Sequence, residues 1–335
     1  MNKKMFKKIF QRKICKRFFT SPTNNQSLTT VTQASTSSLL SSPASFSFPS
    51  LHSPSDVNAL LSLMYGETFL SSLRVPCVSH VTSTLLLNDN YYTLRINSQS
   101  PSSLFDKFIL SVSRARCDLI VLTGAILRAE PNLTANLFIA ENVLKEWRKS
   151  LGIKTNESDI CILTNNINNI DPNHPIFTSS NNIDEMNNEQ QSSKVFIYTG
   201  LDSSSNFNIN NDNNNKIDPT VIRVAKPSLS SLIQDFRSTH SIISAECGPS
   251  TTSSIYQSMM SGNNDKNGLQ LVDEILLSTY NNNNSRNEIG MNLSNLSDLC
   301  VPSSWTLSET FLDFNFCRQS SWKTDKWKFE RFTKR

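Results

Sequence analysis

Apolar positions recur along this chain in two periods, and polar tracts separate them. Val57, Leu60, Leu61 and Met64 fall at helical spacing, with Asp56 placed to cap the helix. Val75–Leu87 reads as a strand, and Asn90–Ile96 as its hairpin partner across the Asn88-Asp89-Asn90 turn. Ser100-Pro101 predicts a helix start, with Leu104, Phe105, Phe108, Ile109 and Val112 as its apolar face. Asp118–Thr123 reads as a short buried strand, and a helix over Glu141–Leu151 ends at Gly152. Strands follow at Asp159–Thr164, Lys194–Thr199 and Thr220–Ala225. A helix from Pro227 to about Arg237, a strand at Ser241–Glu246 and a helix over Pro249–Met260 come next. Leu271–Tyr280 and Trp327–Phe332 complete the set. Strands alternating with helices of this size predict an α/β fold with a mostly parallel central sheet and flanking helices. The late strands have no helix between them, which predicts an antiparallel C-terminal edge.

Three Asn/Ser-rich tracts interrupt this pattern, near residues 165–193, 203–216 and 281–297. Such segments bury too little apolar surface to offset the entropy of ordering them, so they read as solvated loop insertions. Residues 1–55 stand apart from the periodic part. Phe6, Phe10, Ile14 and Phe18 recur four apart among lysines and arginines, and a Ser/Thr-rich stretch without acids follows. This is a basic amphipathic helix with the composition of a mitochondrial presequence. The competing reading is a basic tail that touches anionic membranes. Residues 56–335 then form a single domain.

Charge alters this picture little. The chain carries 32 Lys and Arg against 28 Asp and Glu, a formal net charge of +4. No acid appears before Asp56, and beyond the N-terminal segment the balance is slightly acidic, so nothing favours a nucleic-acid partner. No stretch approaches the roughly 20 apolar residues of a membrane span, so the mature form is expected off the membrane. The 7 cysteines are scattered without metal-ligand spacing, which predicts reduced, mostly buried thiols and no metal.

The candidate chemistry lies where a strand meets a helix at SAECGPST, Ser244–Thr251. Backbone N–H groups and the positive end of a helix would face outward there. Gly248 admits close approach to the backbone, Pro249 occupies a position that needs no N–H, and Ser250 and Thr251 add hydroxyls. That is an anion site at the carboxyl edge of an open sheet. A second turn, Gly124-Ala125, leaves a strand in the same way and carries Arg128 and Glu130; the alternative there is a helical turn with a surface ion pair.

SRARCDLIVLTGAILRAEPNL, IISAECGPST, LVDEILLSTY and the closing WKFERF resemble, in order and spacing, the riboflavin-pathway reductase domain. That domain is the C-terminal half of bacterial bifunctional deaminase–reductases. The likeness runs from about Val75 to Phe332, and its most specific part is the Glu246-x-Gly-Pro-Ser turn followed by Val-Asp-Glu. The resemblance implies a dihydrofolate reductase-like fold, NADPH as cofactor, a small-molecule substrate and a homodimer. It assigns Gly124, Glu130, Gly248, Pro249, Ser250 and Thr251 to the cofactor. It assigns Asp89, Ser98, Arg114, Leu133 and Glu246 to the substrate, and gives Asp273 and Glu274 a structural role. Several positions depart from the family pattern. Of its Ser-Leu-Asp-Gly stretch only Asp89 is kept, Gly124-Ala125-Ile126-Leu127 replaces Gly-Ala-Gly-Thr, a substrate arginine falls near Asn136, and Cys247 replaces a glycine. The His-x-Glu and Pro-Cys-x-x-Cys signature of the zinc deaminase half is absent.

The expectation is therefore an NADPH-dependent reductase of a pyrimidine-, pteridine- or flavin-precursor-like substrate. Such an enzyme needs little acid–base apparatus, and none of the four histidines is assigned a role. The alternatives are a non-catalytic binding module with an eroded pocket, and a scaffold that engages partners through the Asn-rich loops.

Overall fold

The apolar spacing after Asp56 folds as helix α1 (Pro54–Tyr65), which buries Val57, Leu60, Leu61 and Met64. Its cap is Ser53 rather than Asp56. The Ser53 hydroxyl accepts from the Asp56 N–H, and Pro54 sits in the first turn, where no N–H is needed. Asp56 instead reaches back to accept from the His52 N–H at 2.9 Å. The computed structural model describes residues 47–87, 90–95, 100–178, 193–201, 217–248, 251, 271–281, 300–305, 316–324 and 326–334. All lie in the unit Ser45–Arg335. The presequence expected before residue 47 lies outside the described residues.

Gly66, at φ +79°, takes a conformation that side chains resist and turns α1 into a short helix, α2 (Glu67–Ser72). Helix α3 (Leu104–Arg116) is capped by Ser103, not Ser100. It begins where its buried face begins, with Phe105, Phe108, Ile109 and Val112 inside and Leu104 exposed. Helices α4 (Gly124–Ala129), α5 (Glu141–Ser150) and α6 (Leu229–Phe236) follow. The Ser228 and Ser231 side chains cap α6 reciprocally.

The strands are β1 (Cys77–Leu87), β2 (Asn90–Leu94), β3 (Leu119–Thr123), β4 (Asp159–Leu163), β5 (Val195–Gly200) and β6 (Thr220–Val224), then β7 (Ile242–Ala245), β8 (Glu274–Asn281), β9 (Cys300–Trp305), β10 (Phe316–Lys323) and β11 (Trp327–Lys334). They form one sheet in the order β10-β11-β8-β1-β7-β3-β4-β5-β6, with β2 and β9 branching from β1. Every pair from β8 to β6 is parallel. β11 and β10 run antiparallel, which is the C-terminal edge the pattern predicted. Strands β9 and β10 and helix α2 were not anticipated.

Alternation along the strands sorts side chains between two faces. Ile243, Ala245 and Cys247 pack with Leu229, Leu232 and Ile233 of α6. Ser244 and Glu246 therefore turn to the opposite face, where the hydroxyls of Ser113 and Ser244 meet at 2.9 Å beneath α3. On that face Glu274 is fully enclosed. Arg331 Nε donates to it at 2.7 Å, Ser79 at 3.1 Å, and Arg116 closes the group from α3. Burial opposes ionisation there, but Arg116 and Arg331 hold the Glu274 carboxyl below its usual range. Asp273 accepts from the Val78 N–H and pairs with Arg237 at 2.7 Å. Both acids thus tie β8 to its neighbours.

The first Asn-rich tract is more ordered than its composition predicted. Ile167, Ile170, Ile176 and Phe177 are buried against Leu122, Leu127 and Ile162. Four apolar residues within a dozen positions anchor that half of the tract in spite of its asparagines. The other two tracts lie almost wholly outside the described residues.

Candidate functional site

Strand β1 is longer than its neighbours, and this splits the sheet. β8 holds one edge of β1 from Ser79 to Leu86. The other edge is shared, with β7 beside Cys77–His80 and β2 beside Thr84–Leu87. Val81, Thr82 and Ser83 lie between the two, at the base of a fork. The chain leaving β7 (Glu246, Cys247, Gly248) forms one wall, at the carboxyl edge where open α/β sheets admit ligands.

The Glu246 N–H still donates to Val121 O at 2.9 Å, which keeps the start of the turn against β3. The His80 ring, 4% exposed, is hydrogen-bonded to the Cys247 backbone and holds the turn from β1. Burial lowers the His80 pKa to about 4, so the ring is neutral at physiological pH. His80 has no role in the reading of the sequence. Its signal is register, for only the pairing of His80 with Ala245 brings the ring to the turn. Burial also raises the Cys247 thiol far above its usual range, which makes it a packing group and no nucleophile. At Gly248 a Cβ would meet no atom of the described residues within 4 Å. The turn closes with Thr251 N–H donating to Gly248 O at 3.1 Å. Pro249 and Ser250 lie outside the described residues, as do Asp89, Ser98 and the expected helix beyond Thr251.

Arg114 and Glu246 meet each other. Arg114 Nε lies 2.9 Å from Glu246 Oε1, and Nη2 lies 2.7 Å from Oε2. Arg114 Nη1 donates to Thr134 O at 3.2 Å and to Asn136 O at 3.0 Å, and Phe138 lies 4.6 Å from the guanidinium. The pair is 2% and 8% exposed. Each charge is compensated within the protein, and the pair ties the turn after β7 to the loop after α4. Alternation along β7 explains why, since it sends the Glu246 side chain under α3 rather than out of the edge.

Glu130 caps the C-terminus of α4, and its carboxyl lies close enough to Arg114 and Glu246 to feel both charges. Burial pushes that carboxyl up to about 7; Arg114 opposes the rise and Glu246 adds to it. His174, 5% exposed, clamps the backbone here. Its Nε2 lies 3.0 Å from Glu130 O, while its Nδ1 accepts from the Ile176 N–H at 3.1 Å. Both bonds together require the neutral Nε2–H tautomer. Leu133 is buried in the apolar cluster with Leu122 and Ile162. Gly124 is buried too, and a Cβ there would lie 3.1 Å from Thr164 Oγ1. The Gly124 turn is thus closed by Thr164, just past β4, whereas a Cβ at Gly248 would meet no described atom. Of the two turns, only the one at Gly248 leaves space beside its backbone among the described residues.

No protein-family model matches the chain, and none of the curated proteins matches it in sequence. Solved structures do. A pyrimidine reductase-like protein from Corynebacterium diphtheriae superposes with a TM-score of 0.50 at 15% identity, over 81% of this chain and 97% of that one. The chain has the fold of that pyrimidine reductase-like protein. The mostly parallel sheet with an antiparallel edge is what the alternation of strands and helices along the chain predicted. RibD of Acinetobacter baumannii gives a TM-score of 0.45 at 12% identity, over 80% of this chain and 60% of that one. A deaminase/5-amino-6-(5-phosphoribosylamino)uracil reductase from Thermotoga maritima gives 0.41 at 10%, over 81% and 60%. This chain therefore spans 60% of the length of those two proteins.

Proposed function

We propose that this chain is a pyridine-nucleotide-dependent reductase, with NADPH as reductant. Its substrate would be 5-amino-6-(5-phosphoribosylamino)uracil or a related pyrimidine- or pteridine-like compound. The observation that supports this most is the space that the described residues leave beside Gly248 at the sheet fork, within a fold shared with a pyrimidine reductase-like protein. The turn from Gly248 to Thr251 would receive the pyrophosphate mainly through the hydroxyls of Ser250 and Thr251, since Pro249 has no N–H and the Thr251 N–H is donated to Gly248 O. Because Arg114 neutralises Glu246, no free carboxylate repels an anion at the start of that turn. The bound nucleotide would supply hydride. The protein's part is to orient donor and acceptor in the fork and to exclude water. In this reading Arg114 and Glu246 act as a positioning pair for the two loops. Rescue of a reductase-deficient riboflavin auxotroph by the chain tests the reading, and failure to rescue despite normal expression counts against it.

A second reading is a nucleotide-binding module that no longer turns over an aminouracil. The enclosed Arg114–Glu246 pair and the closed Gly124 turn favour it, since they withdraw from a ligand three residues the family pattern offers. It predicts NADPH binding without rescue. For location we propose the mitochondrion, on the basic amphipathic pattern of residues 1–20. A fluorescent reporter carrying residues 1–55 that stays outside mitochondria would refute that. The homodimer implied by the resemblance is a further proposal, checked by sedimentation.

A further inference from the structure

We propose that Arg128 pairs with the pyrophosphate of the dinucleotide at the turn after Glu246. This rests on the reductase reading above and names the cation that site needs.

A pyrophosphate is a dianion, and the turn from Gly248 to Thr251 offers it little positive charge. Pro249 has no N–H, and the Thr251 N–H donates to Gly248 O. Arg114 is consumed by Glu246, with two nitrogens on that carboxylate and the third on the carbonyls of Thr134 and Asn136. His80, bonded to the Cys247 backbone, is neutral. The charge has to come from a neighbouring element.

That element is the turn after β3. Strand β3 lies beside β7 with Val121 level with Ala245, and the Glu246 N–H continues the pairing by donating to Val121 O. Gly124 and Gly248 stand equally far beyond that pair on their two chains. Adjacent strands lie about 4.8 Å apart, so the two turns leave the carboxyl edge side by side. Arg128 follows Gly124 by one turn of α4. Helical side chains lean towards the N-terminus, so residue 128 covers the face of residue 124. With no Cβ at 124 the guanidinium folds back over the turn, and Arg128 Nη1 lies 3.5 Å from where that Cβ would be. Arg128 is exposed, and among the described residues it makes no hydrogen bond or ion pair, not even with Glu130. A planar, forked donor of this kind matches the oxygens of a phosphate. Lys226 is exposed and unpaired in the same sense, but it follows β6, four strands from β7, which is roughly 19 Å and out of reach.

The test is calorimetric titration of the full chain with NADPH and with NADH, beside Arg128→Gln and Lys226→Gln. Both side chains are exposed, so each variant is expected to keep the wild-type urea midpoint. R128Q is expected to bind both nucleotides about 10–100-fold more weakly, because both carry the pyrophosphate, while K226Q matches wild type. Arg128→Lys keeps the charge without the fork and is expected to fall between. Binding by R128Q within about twofold of wild type overturns the proposal and leaves the reductase reading intact. A loss confined to NADPH moves Arg128 to the 2′-phosphate and overturns the pyrophosphate assignment. An equal loss in K226Q reduces the effect to the overall field and overturns it too. Absence of binding of either nucleotide by the wild type overturns the reductase reading, and this proposal with it.

Discussion

Removing the guanidinium of Arg114 is the sharpest structural perturbation at the site. Arg114→Met keeps the buried stem and deletes the charge. Glu246, 8% exposed, then holds a carboxylate that no cation compensates. A buried pair broken on one side costs about 3–5 kcal/mol. The carbonyls of Thr134 and Asn136 also lose their donors, but both residues are partly exposed and water can replace much of that. The net loss is therefore expected near 3–5 kcal/mol, which for a domain of this size lowers Tm by roughly 6–15 °C. The double variant R114M/E246Q removes both charges and should recover most of the loss, giving a coupling of about 2 kcal/mol or more. Urea unfolding followed by tryptophan fluorescence measures all four corners of the cycle. A loss below about 1 kcal/mol for R114M, or losses that simply add in the double variant, would refute the account of an enclosed, mutually satisfied pair.

Two further predictions concern pH. His80 titrates at about 4 when folded and near 6.5 when unfolded, so the unfolded chain binds its proton first and stability falls as pH drops from 6.5 to 4. That loss amounts to about 3 kcal/mol, and His80→Gln should flatten this part of the stability–pH curve; an unchanged slope contradicts a buried neutral ring. Glu130 acts in the opposite sense, because its folded value of about 7 exceeds the ordinary 4.5 of a free glutamate. Stability is full below 4.5 and declines as pH rises to 7, by about 1–2 kcal/mol once solvent screening of a partly exposed group is allowed for. Relative to wild type, E130Q should therefore gain stability with rising pH, and denaturant titrations at pH 4.5 and 8 check it.

The sheet was legible because its strands are short apolar runs bounded by turn residues, and the antiparallel edge followed from the missing crossover. Helix starts shifted by a few residues where serines compete as caps, as Ser53 and Ser103 show. Strand β10 escaped because most of its side chains are exposed or only partly buried, so it lacks an apolar signature. At the candidate site, the sequence singled out the turn after Glu246 and the loop with Glu130 as expectations. It could not foresee that Arg114 and Glu246 satisfy each other, since 132 positions separate them and only the register of β7 under α3 joins them. His80 and His174 were missed for the same reason, as each ring reaches a backbone atom distant in sequence, Cys247 for His80 and Glu130 O for His174.

The central claim is that the turn after Glu246 receives a dinucleotide. Its most direct test is calorimetric titration of the full chain with NADPH, beside Gly248→Val. A side chain at residue 248 meets no described atom within 4 Å at its Cβ, so the variant should keep wild-type stability while filling the space a phosphate needs. The account predicts saturable micromolar binding by the wild type and binding weaker by about tenfold or more in G248V, a difference of roughly 1.4 kcal/mol. No saturation up to millimolar NADPH, or equal affinity in the two proteins, would contradict it.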